Sequence, residues 1–263
     1  MATDSLLIHH PCRPQRRSPV LGIDAPSRWM SKSWDDFRAA PILSLAWGAV
    51  FSVLGLALSF GLAALDLGSL IPATMAGFFL IAPILAVGLM DIARRRADGQ
   101  TVSFGLSARA WLRNPAGLSA CGLALMLAMA AWFQVAMLLF SLFFHSNPPQ
   151  LDNFVASLLG SDQAFYFLAA GTILGSLIAA TVFAAMAMTI PALLDREAPV
   201  AECIIDSVEY VWANRTVMLS WAATIVVLVG FGFVTGFIGL TFTLPLVAYG
   251  SWHAYEDFKR SCE

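Results

Sequence analysis

Long apolar runs alternate with short polar segments along almost the whole chain. Residues 42–65 and 67–90 contain no charged side chain and are separated only by Asp66. At about 1.5 Å per residue, each run is long enough to cross a hydrocarbon layer about 30 Å thick as a helix. A short amphipathic segment, residues 33–38, precedes them. The pattern predicts an interfacial helix followed by a transmembrane hairpin.

The same arrangement continues towards the C-terminus. Residues 116–144 and 164–194 form two further uncharged runs, and residues 216–255 contain no Lys, Arg, Asp or Glu. A straight helix over the last run would be about 60 Å long, twice the hydrocarbon thickness, so this run must fold back. We expect the turn at the glycines Gly230, Gly232, Gly236 and Gly239. The sequence therefore predicts an all-α, polytopic membrane helix bundle of six transmembrane helices.

The basic residues support this count independently. All 15 Lys and Arg residues lie before residue 41, within 94–113, within 196–215 or at 259–260, whereas the intervening turns carry Asp66, Asp152 and Asp162. Basic loops stay in the cytoplasm during insertion. Six crossings put all four basic segments there, whereas five would not. We expect a bacterial inner-membrane protein with cytoplasmic N- and C-termini and the lipid bilayer as its environment.

Three similar units divide the predicted membrane domain. Ser33, Ser107 and Ser207 each stand eight residues before a boundary residue, namely Pro41, Pro115 and Arg215. We interpret residues 33–96, 107–196 and 207–258 as parallel repeats, each an interfacial helix plus a helical hairpin. The membrane domain covers residues 29–258. Residues 1–28, rich in Pro, Arg and Ser, are expected to be a disordered cytoplasmic tail, and residues 259–263 a short cytoplasmic tail.

Several motifs resemble one known family. They include Trp34-Asp35-Asp36-Phe37 with Pro41, Pro191-Ala192-Leu193-Leu194-Asp195, and Trp252-His253-Ala254-Tyr255. From about Trp29 to Phe258 the chain resembles the bacterial predicted integral-membrane family catalogued as domain of unknown function 2189. The resemblance implies a multi-span inner-membrane protein without an established activity, although some members carry the label of cytochrome c oxidase subunit. The chain departs from the family pattern at Tyr249, where a second histidine is common, and at Glu256, which replaces a common arginine.

Composition limits the chemistry. The chain is 59% hydrophobic and 12% charged, as expected for a multi-span membrane protein and not for a soluble enzyme. Its four histidines are too few to bind the haem irons and copper of a catalytic oxidase subunit. We find no nucleotide-binding or hydrolase motif, and the basic residues follow the membrane surface instead of forming a nucleic-acid site. We expect no catalytic residues, no cofactor, no metal and no nucleic-acid partner.

A few polar residues remain as candidates. His253 lies near the inner end of the sixth predicted span, either as an interfacial hydrogen-bonding residue or as a ligand or proton carrier. Asp91 and Asp195 end two spans beside arginines and are expected to form interfacial ion pairs. Gln134 is the main polar side chain predicted within a span, for a helix–helix hydrogen bond or for substrate binding.

Small residues and prolines complete the candidates. Closely spaced small residues let helices approach one another, either within one chain or between subunits. Prolines within apolar runs are expected to kink helices or to start them. The packing candidates are Gly171, Gly175, Ala179, Ser44, Gly48, Ser52, Gly232 and Gly236, and the kink candidates are Pro83, Pro191 and Pro245.

Three hypotheses of function follow. The first is a non-enzymatic protein that acts through helix packing, as a homo-oligomer or within a larger membrane complex. The second is a carrier or channel for a small neutral or apolar solute. The third, based only on the family label, is an accessory subunit of a respiratory oxidase.

Overall fold

The computed structural model describes residues 21–145 and 158–262, and the regular elements in these ranges are helices, as predicted. Two 3₁₀ helices cover Gly68–Leu70 and Ala110–Arg113. The α-helices, numbered in chain order, are α1 (Ala25–Ala39), α2 (Pro41–Ala64), α3 (Ile71–Leu85), α4 (Val87–Ala97), α5 (Phe104–Ala108), α6 (Pro115–Phe144), α7 (Ala164–Met186), α8 (Thr189–Asp195), α9 (Val200–Ala213), α10 (Arg215–Val234) and α11 (Leu240–Cys262).

Within the described ranges, five helical segments are long and apolar enough to cross a membrane. They are Pro41–Ala64, Ala73–Ala97, Pro115–Phe144, Ala164–Asp195 and Arg215–Val234. This confirms a membrane protein with several spanning helices. The sixth predicted span corresponds to α11, which is not among the five. The last turns of α11 carry Glu256, Asp257, Lys259 and Arg260, and its middle contains polar aromatic side chains. Composition alone therefore identifies α11 as a membrane span less clearly than it identifies the five other segments.

Two of the apolar segments are broken near prolines. The break between α3 and α4 falls at Ala86, three residues after Pro83, and the break between α7 and α8 falls three residues before Pro191. A proline lacks the N–H for one helical hydrogen bond and its ring crowds the preceding turn, which explains the break before Pro191. Helix α3 instead continues past Pro83, so this effect does not explain the break at Ala86. By contrast, α11 continues through Pro245 without interruption.

The most deeply buried part of the protein lies where the second helices of the hairpins meet. Residues 87–94 of α4 and 189–194 of α8 are all buried, and the second half of α11 packs against both helices. The amphipathic helices α1 and α9 and the α5 segment contact this centre with one face each. The outer parts of α6, α7 and α10, by contrast, expose most of their apolar side chains.

Helix α11 returns beside α2 in the antiparallel direction. Ser44 contacts Tyr249, whereas Ser52, two turns later on α2, contacts Thr241 and Phe237. The turn before α11 has Gly236 at φ +62° and Phe237 at φ +69°. A left-handed backbone is freely available to glycine, which explains Gly236 at this position. Of the four glycines expected in the turn, Gly230 and Gly232 lie within α10 instead.

The ordered domain begins earlier than residue 29. Residues 1–20 of the expected tail (1–28) lie outside the described residues, but α1 already starts at Ala25, which is fully buried. The backbone N–H of Leu21 donates to Oδ1 of Asn214 at 3.1 Å. At the other end, Lys259 and Arg260 form the last turn of α11 instead of a separate tail. Residues 25–28 and 259–260 are therefore helical, and α1 packs along α11.

Candidate functional site

One end of the helix bundle carries a network of charged side chains, and its most buried member is Asp91. This residue lies on α4 and is 0% exposed. Its Oδ1 accepts hydrogen bonds from Nε and Nη2 of Arg94 at 2.9 and 2.7 Å, and its Oδ2 accepts from Nε of Arg95 at 2.6 Å. Because three and four residues separate the partners on one helix, they share a face. Burial without this pairing would be costly.

His253 lies between two carboxylates from different helices. Its Nε2 is 2.8 Å from Oδ2 of Asp36 on α1, and its Nδ1 is 3.0 Å from Oε2 of Glu256 on α11. Ionised carboxylates only accept hydrogen bonds, so both ring nitrogens must donate, which is the imidazolium form. Nε of Arg96 donates to Oδ1 of Asp36 at 2.8 Å. Two cations thus balance two anions, and the cluster joins α1, α4 and α11.

Asp195 finds its partners on α11. Its Oδ2 accepts from the Tyr255 hydroxyl at 3.1 Å and from Nζ of Lys259 at 2.9 Å. The adjacent Arg196, which the sequence suggested as its partner, lies beyond the end of α8 in an extended conformation. Arg196 pairs instead with Asp206 of α9 at 3.6 Å. Asp195 therefore ties α8 to α11 instead of fixing only its own helix.

A third connection joins α1 to the end of α11. Oδ2 of Asp257 accepts a hydrogen bond from the indole N–H of Trp29 at 2.8 Å, and Oδ1 of Asp257 lies 3.0 Å from Nη2 of Arg260. The ring of Trp29 meets that of Trp221 edge to face, with centroids 5.6 Å apart. A hydrogen bond thus fixes α1 to α11, and an aromatic contact fixes α1 to α10.

The serines that mark the three predicted units all lie in buried contacts between units. Ser107 accepts a hydrogen bond from the indole of Trp47 at 2.9 Å, next to Gly88. Ser33 lies beside Gly250, which packs against Trp221. Ser207 accepts from the backbone N–H of Met188 at 3.1 Å and donates to the carbonyl of Ala184 at 2.8 Å. Each serine therefore contacts the second helix of another unit.

One predicted packing stripe forms the contact between α2 and α11. Ser44 Oγ is 2.7 Å from the Tyr249 hydroxyl, Gly48 touches the backbone of Thr241, and Ser52 Oγ is 2.8 Å from Oγ1 of Thr241. All three α2 residues are buried. Without a Cβ at Gly48, the two helix backbones approach closely.

The other predicted small residues differ in their surroundings. Gly232 packs against Leu240 across the last turn, and Gly236 adopts the left-handed conformation in that turn. Gly175 faces the ring of Trp132, from which an added Cβ would lie 2.9 Å away. Gly171 is loosely packed, and Ala179 is exposed. The α7 stripe therefore contacts α6 at Gly175 and leaves Ala179 on the outer surface.

Gln134 lies on the exposed surface of α6 and forms no hydrogen bond with another described residue. Two residues earlier, the indole of Trp132 donates to the carbonyl of Ala73 at 3.0 Å, near the start of α3. Gln134 therefore lies close to the level at which α3 begins. The predicted helix–helix hydrogen bond of Gln134 is not formed with a described residue.

The remaining chemistry of this region is limited. Cys121 and Cys203 are unpaired and buried, and burial raises the pKa of the Cys203 thiol on α9, which makes it a poor nucleophile. In the ranges 21–145 and 158–262, no group of three His, Cys, Asp or Glu side chains could hold a metal ion. An open groove of about 380 Å³ lies on the surface between Arg113, Asn114, Glu197 and Pro199. The charged network itself serves to join helices.

The comparison with protein families gives one result. A family model described as predicted integral membrane protein (DUF2189) matches residues 70–195. This segment belongs to the DUF2189 family. The resemblance predicted from the sequence is thereby confirmed for α3 to α8, including Asp91 and Asp195. Comparisons with curated proteins and with solved structures found no match.

Several network residues outside the DUF2189 segment were not among the candidates predicted from the sequence. They include Asp36, Tyr255 and Asp257, which join α1 and α8 to α11. Two further contacts were not predicted either, namely the bond between Tyr249 and Ser44 and the contact between Glu256 and His253. A weak signal for Asp36 was available, since it shares a buried helical face with Ser33 and Phe37.

Proposed function

We propose that this chain is a six-span inner-membrane protein that acts without catalysis, through helix packing with itself or with a larger membrane complex. The observation that carries the proposal is the ion-paired, closely packed centre formed by α4, α8 and α11. Asp91 and the His253 cluster have their charges balanced within the chain. Such a centre supports a rigid scaffold, and the apolar faces of α6, α7 and α10 are then the surfaces that meet lipid or partners.

Contacts at one end of the bundle support six crossings, with α1 and the end of α11 on the same side of the membrane. Asp36 of α1 is bound both to Arg96, at the inner end of the second span, and to His253, near the end of α11. With five crossings, α1 and the end of α11 would lie on opposite sides of the bilayer. The antiparallel contact between α2 and α11 supports the same count.

The threefold repeat also has support from matched contacts. Trp47, Gly88 and Ser107 meet as Trp221, Gly250 and Ser33 do. In each case a glycine of the second helix packs against a tryptophan of the first helix and against a serine from another unit's interfacial helix. Ser33 of the first unit contacts the third, so the three units close into a ring.

Purification of the full-length protein in mild detergent, followed by native mass spectrometry and cross-linking in cells, tests the proposed association. We expect a defined homo-oligomer or a complex with other membrane proteins. A lone monomer with nothing cross-linked to it would contradict the proposal. Contacts among the described residues favour neither the carrier nor the oxidase-subunit hypothesis, and both stay predictions.

A matched pair of variants on α7 makes this test specific. Ala179→Leu enlarges an exposed position and is expected to weaken association without changing the melting temperature, because small side chains permit close helix contact. Gly175→Leu, one turn away, collides with Trp132 inside the chain and is expected to lower the melting temperature. Equal effects of the two variants on folding and association would contradict a role for the outer face of α7.

A further inference from the structure

The basic residues near the inner ends of the spans fall into two groups. Seven of them form ion pairs with carboxylates of the chain: Arg28, Arg94, Arg95, Arg96, Arg196, Lys259 and Arg260. Five others form no ion pair with a described residue and have exposed side chains: Lys32, Arg38, Arg109, Arg113 and Arg215. Three of these, Arg38, Arg113 and Arg215, lie where α2, α6 and α10 begin, and Arg113 also donates from Nε to the Leu194 carbonyl at 2.9 Å.

Each of these three arginines stands beside a large, exposed apolar side chain. Trp34 accompanies Arg38 and is 43% exposed, Leu112 precedes Arg113 and is 70% exposed, and Trp212 precedes Arg215 and is 73% exposed. We call these six residues the basic girdle. Exposure of this size is unfavourable in water but usual at the boundary between headgroups and acyl chains, where tryptophan rings settle.

The three arginines also lie within three residues of the start of a long helix. Arg38 precedes Pro41 by three residues, Arg113 precedes Pro115 by two, and Arg215 is the first residue of α10. The pair on α1 is already ordered, since the Arg38 guanidinium lies 4.9 Å from the centroid of the Trp34 ring. An arginine held in this way keeps N–H donors available for a phosphate oxygen.

We propose that the basic girdle binds the headgroups of anionic phospholipids in the leaflet that faces the inner ends of the spans. The arginines supply charge-assisted hydrogen bonds to the phosphates, and the neighbouring Trp and Leu side chains insert among the upper acyl carbons. Charge complementarity selects the occupant, because none of the three guanidinium groups forms an ion pair with a carboxylate among the described residues.

The test uses full-length protein in vesicles of phosphatidylcholine mixed with spin-labelled phosphatidylglycerol or spin-labelled phosphatidylcholine. Electron paramagnetic resonance measures the preference of the protein for the anionic lipid. In R38Q/R113Q/R215Q this preference is expected to be lost, so that the protein binds phosphatidylglycerol no better than phosphatidylcholine, since basic residues near the surface attract anionic headgroups. High salt is expected to weaken the preference of the unmodified protein.

The matched control is R28Q/K259Q/R260Q, which removes the same charge from residues that are paired within the chain. This control is expected to keep most of the preference for phosphatidylglycerol. If the triple girdle variant does not fold, R38Q and R215Q are measured singly. An unchanged lipid preference in the girdle variants, or an equal loss in the control, would overturn the proposal.

Discussion

At the scale of single residues, Asp91 shows how a charge is tolerated in the interior. Its carboxylate is fully buried and pairs with both Arg94 and Arg95, whereas Asp98 contacts the same Arg94 from a half-exposed position. Removal of one partner from a buried ion pair leaves an uncompensated charge, whereas an exposed pair is screened by water. The two aspartates therefore provide a direct comparison of buried and exposed partners.

We predict that Asp91→Asn lowers the stability of the folded protein by about 3 kcal/mol. Asp98→Asn, the matched control on the same helix, should cost less than about 1 kcal/mol. Thermal unfolding of both variants in the same detergent, followed by tryptophan fluorescence, measures the difference. Equal melting temperatures for the two variants would show that the Asp91 pairs contribute little.

His253 gives a second prediction at this scale. Its two ring nitrogens each face a carboxylate, so we expect both to be protonated at neutral pH. Nitrogen NMR of histidine-labelled protein checks this, with His253→Gln used to assign the signal. One protonated and one unprotonated ring nitrogen would contradict the imidazolium form.

The partners of these two residues differ in how far the sequence reveals them. Asp91 and its arginines are three and four residues apart, so the local pattern was enough to suggest the pairs. Asp36 lies 217 residues before His253, and no local pattern connects them. Asp195 was misleading for a related reason, because its neighbour Arg196 lies past the helix end and pairs with Asp206 on another element.

At the scale of helices, the contact between α2 and α11 depends on the absence of a side chain at Gly48. A Cβ there would meet the backbone of Thr241, which cannot move aside as a flexible side chain can. Gly61, on the same helix, has nothing within 4 Å of the same position. These two glycines separate the packing effect from the helix propensity of the substituted residue.

We therefore expect Gly48→Ala to destabilise the protein by about 1–3 kcal/mol through overpacking. Gly61→Ala should cause no loss, because alanine favours the helix and fits into open space. Melting temperatures of both variants in detergent provide the measurement. A loss at Gly61 as large as that at Gly48 would show that α2 and α11 are not packed at this point.

Most elements were readable from the sequence because a helix that crosses lipid must be apolar over its whole length. The uncharged runs at residues 42–65 and 116–144 predict α2 and α6 in this way. Helix α11 is less evident because its burial comes from α1, α2 and α4, so it can carry His253 and the charges of its last turns. The early start of α1 was missed for the same reason, since Ala25 is buried by contacts distant in sequence.

At the scale of the whole molecule, we propose three hairpins whose second helices meet at one end of the bundle. The ion pairs, the matched serine contacts and the basic girdle all lie at that end. This arrangement requires α1 and the end of α11 on the same side of the membrane, and hence an even number of crossings.

Cysteine labelling in cells tests this claim most directly. Starting from full-length protein without its native cysteines, single cysteines replace Asp66, Asp162, Gly236 or Lys259, and a membrane-impermeant maleimide is added outside. We predict labelling at positions 66, 162 and 236, and labelling at 259 only after the membrane is opened. Labelling of position 259 in intact membranes would place the C-terminal end outside, leave five crossings and contradict the account.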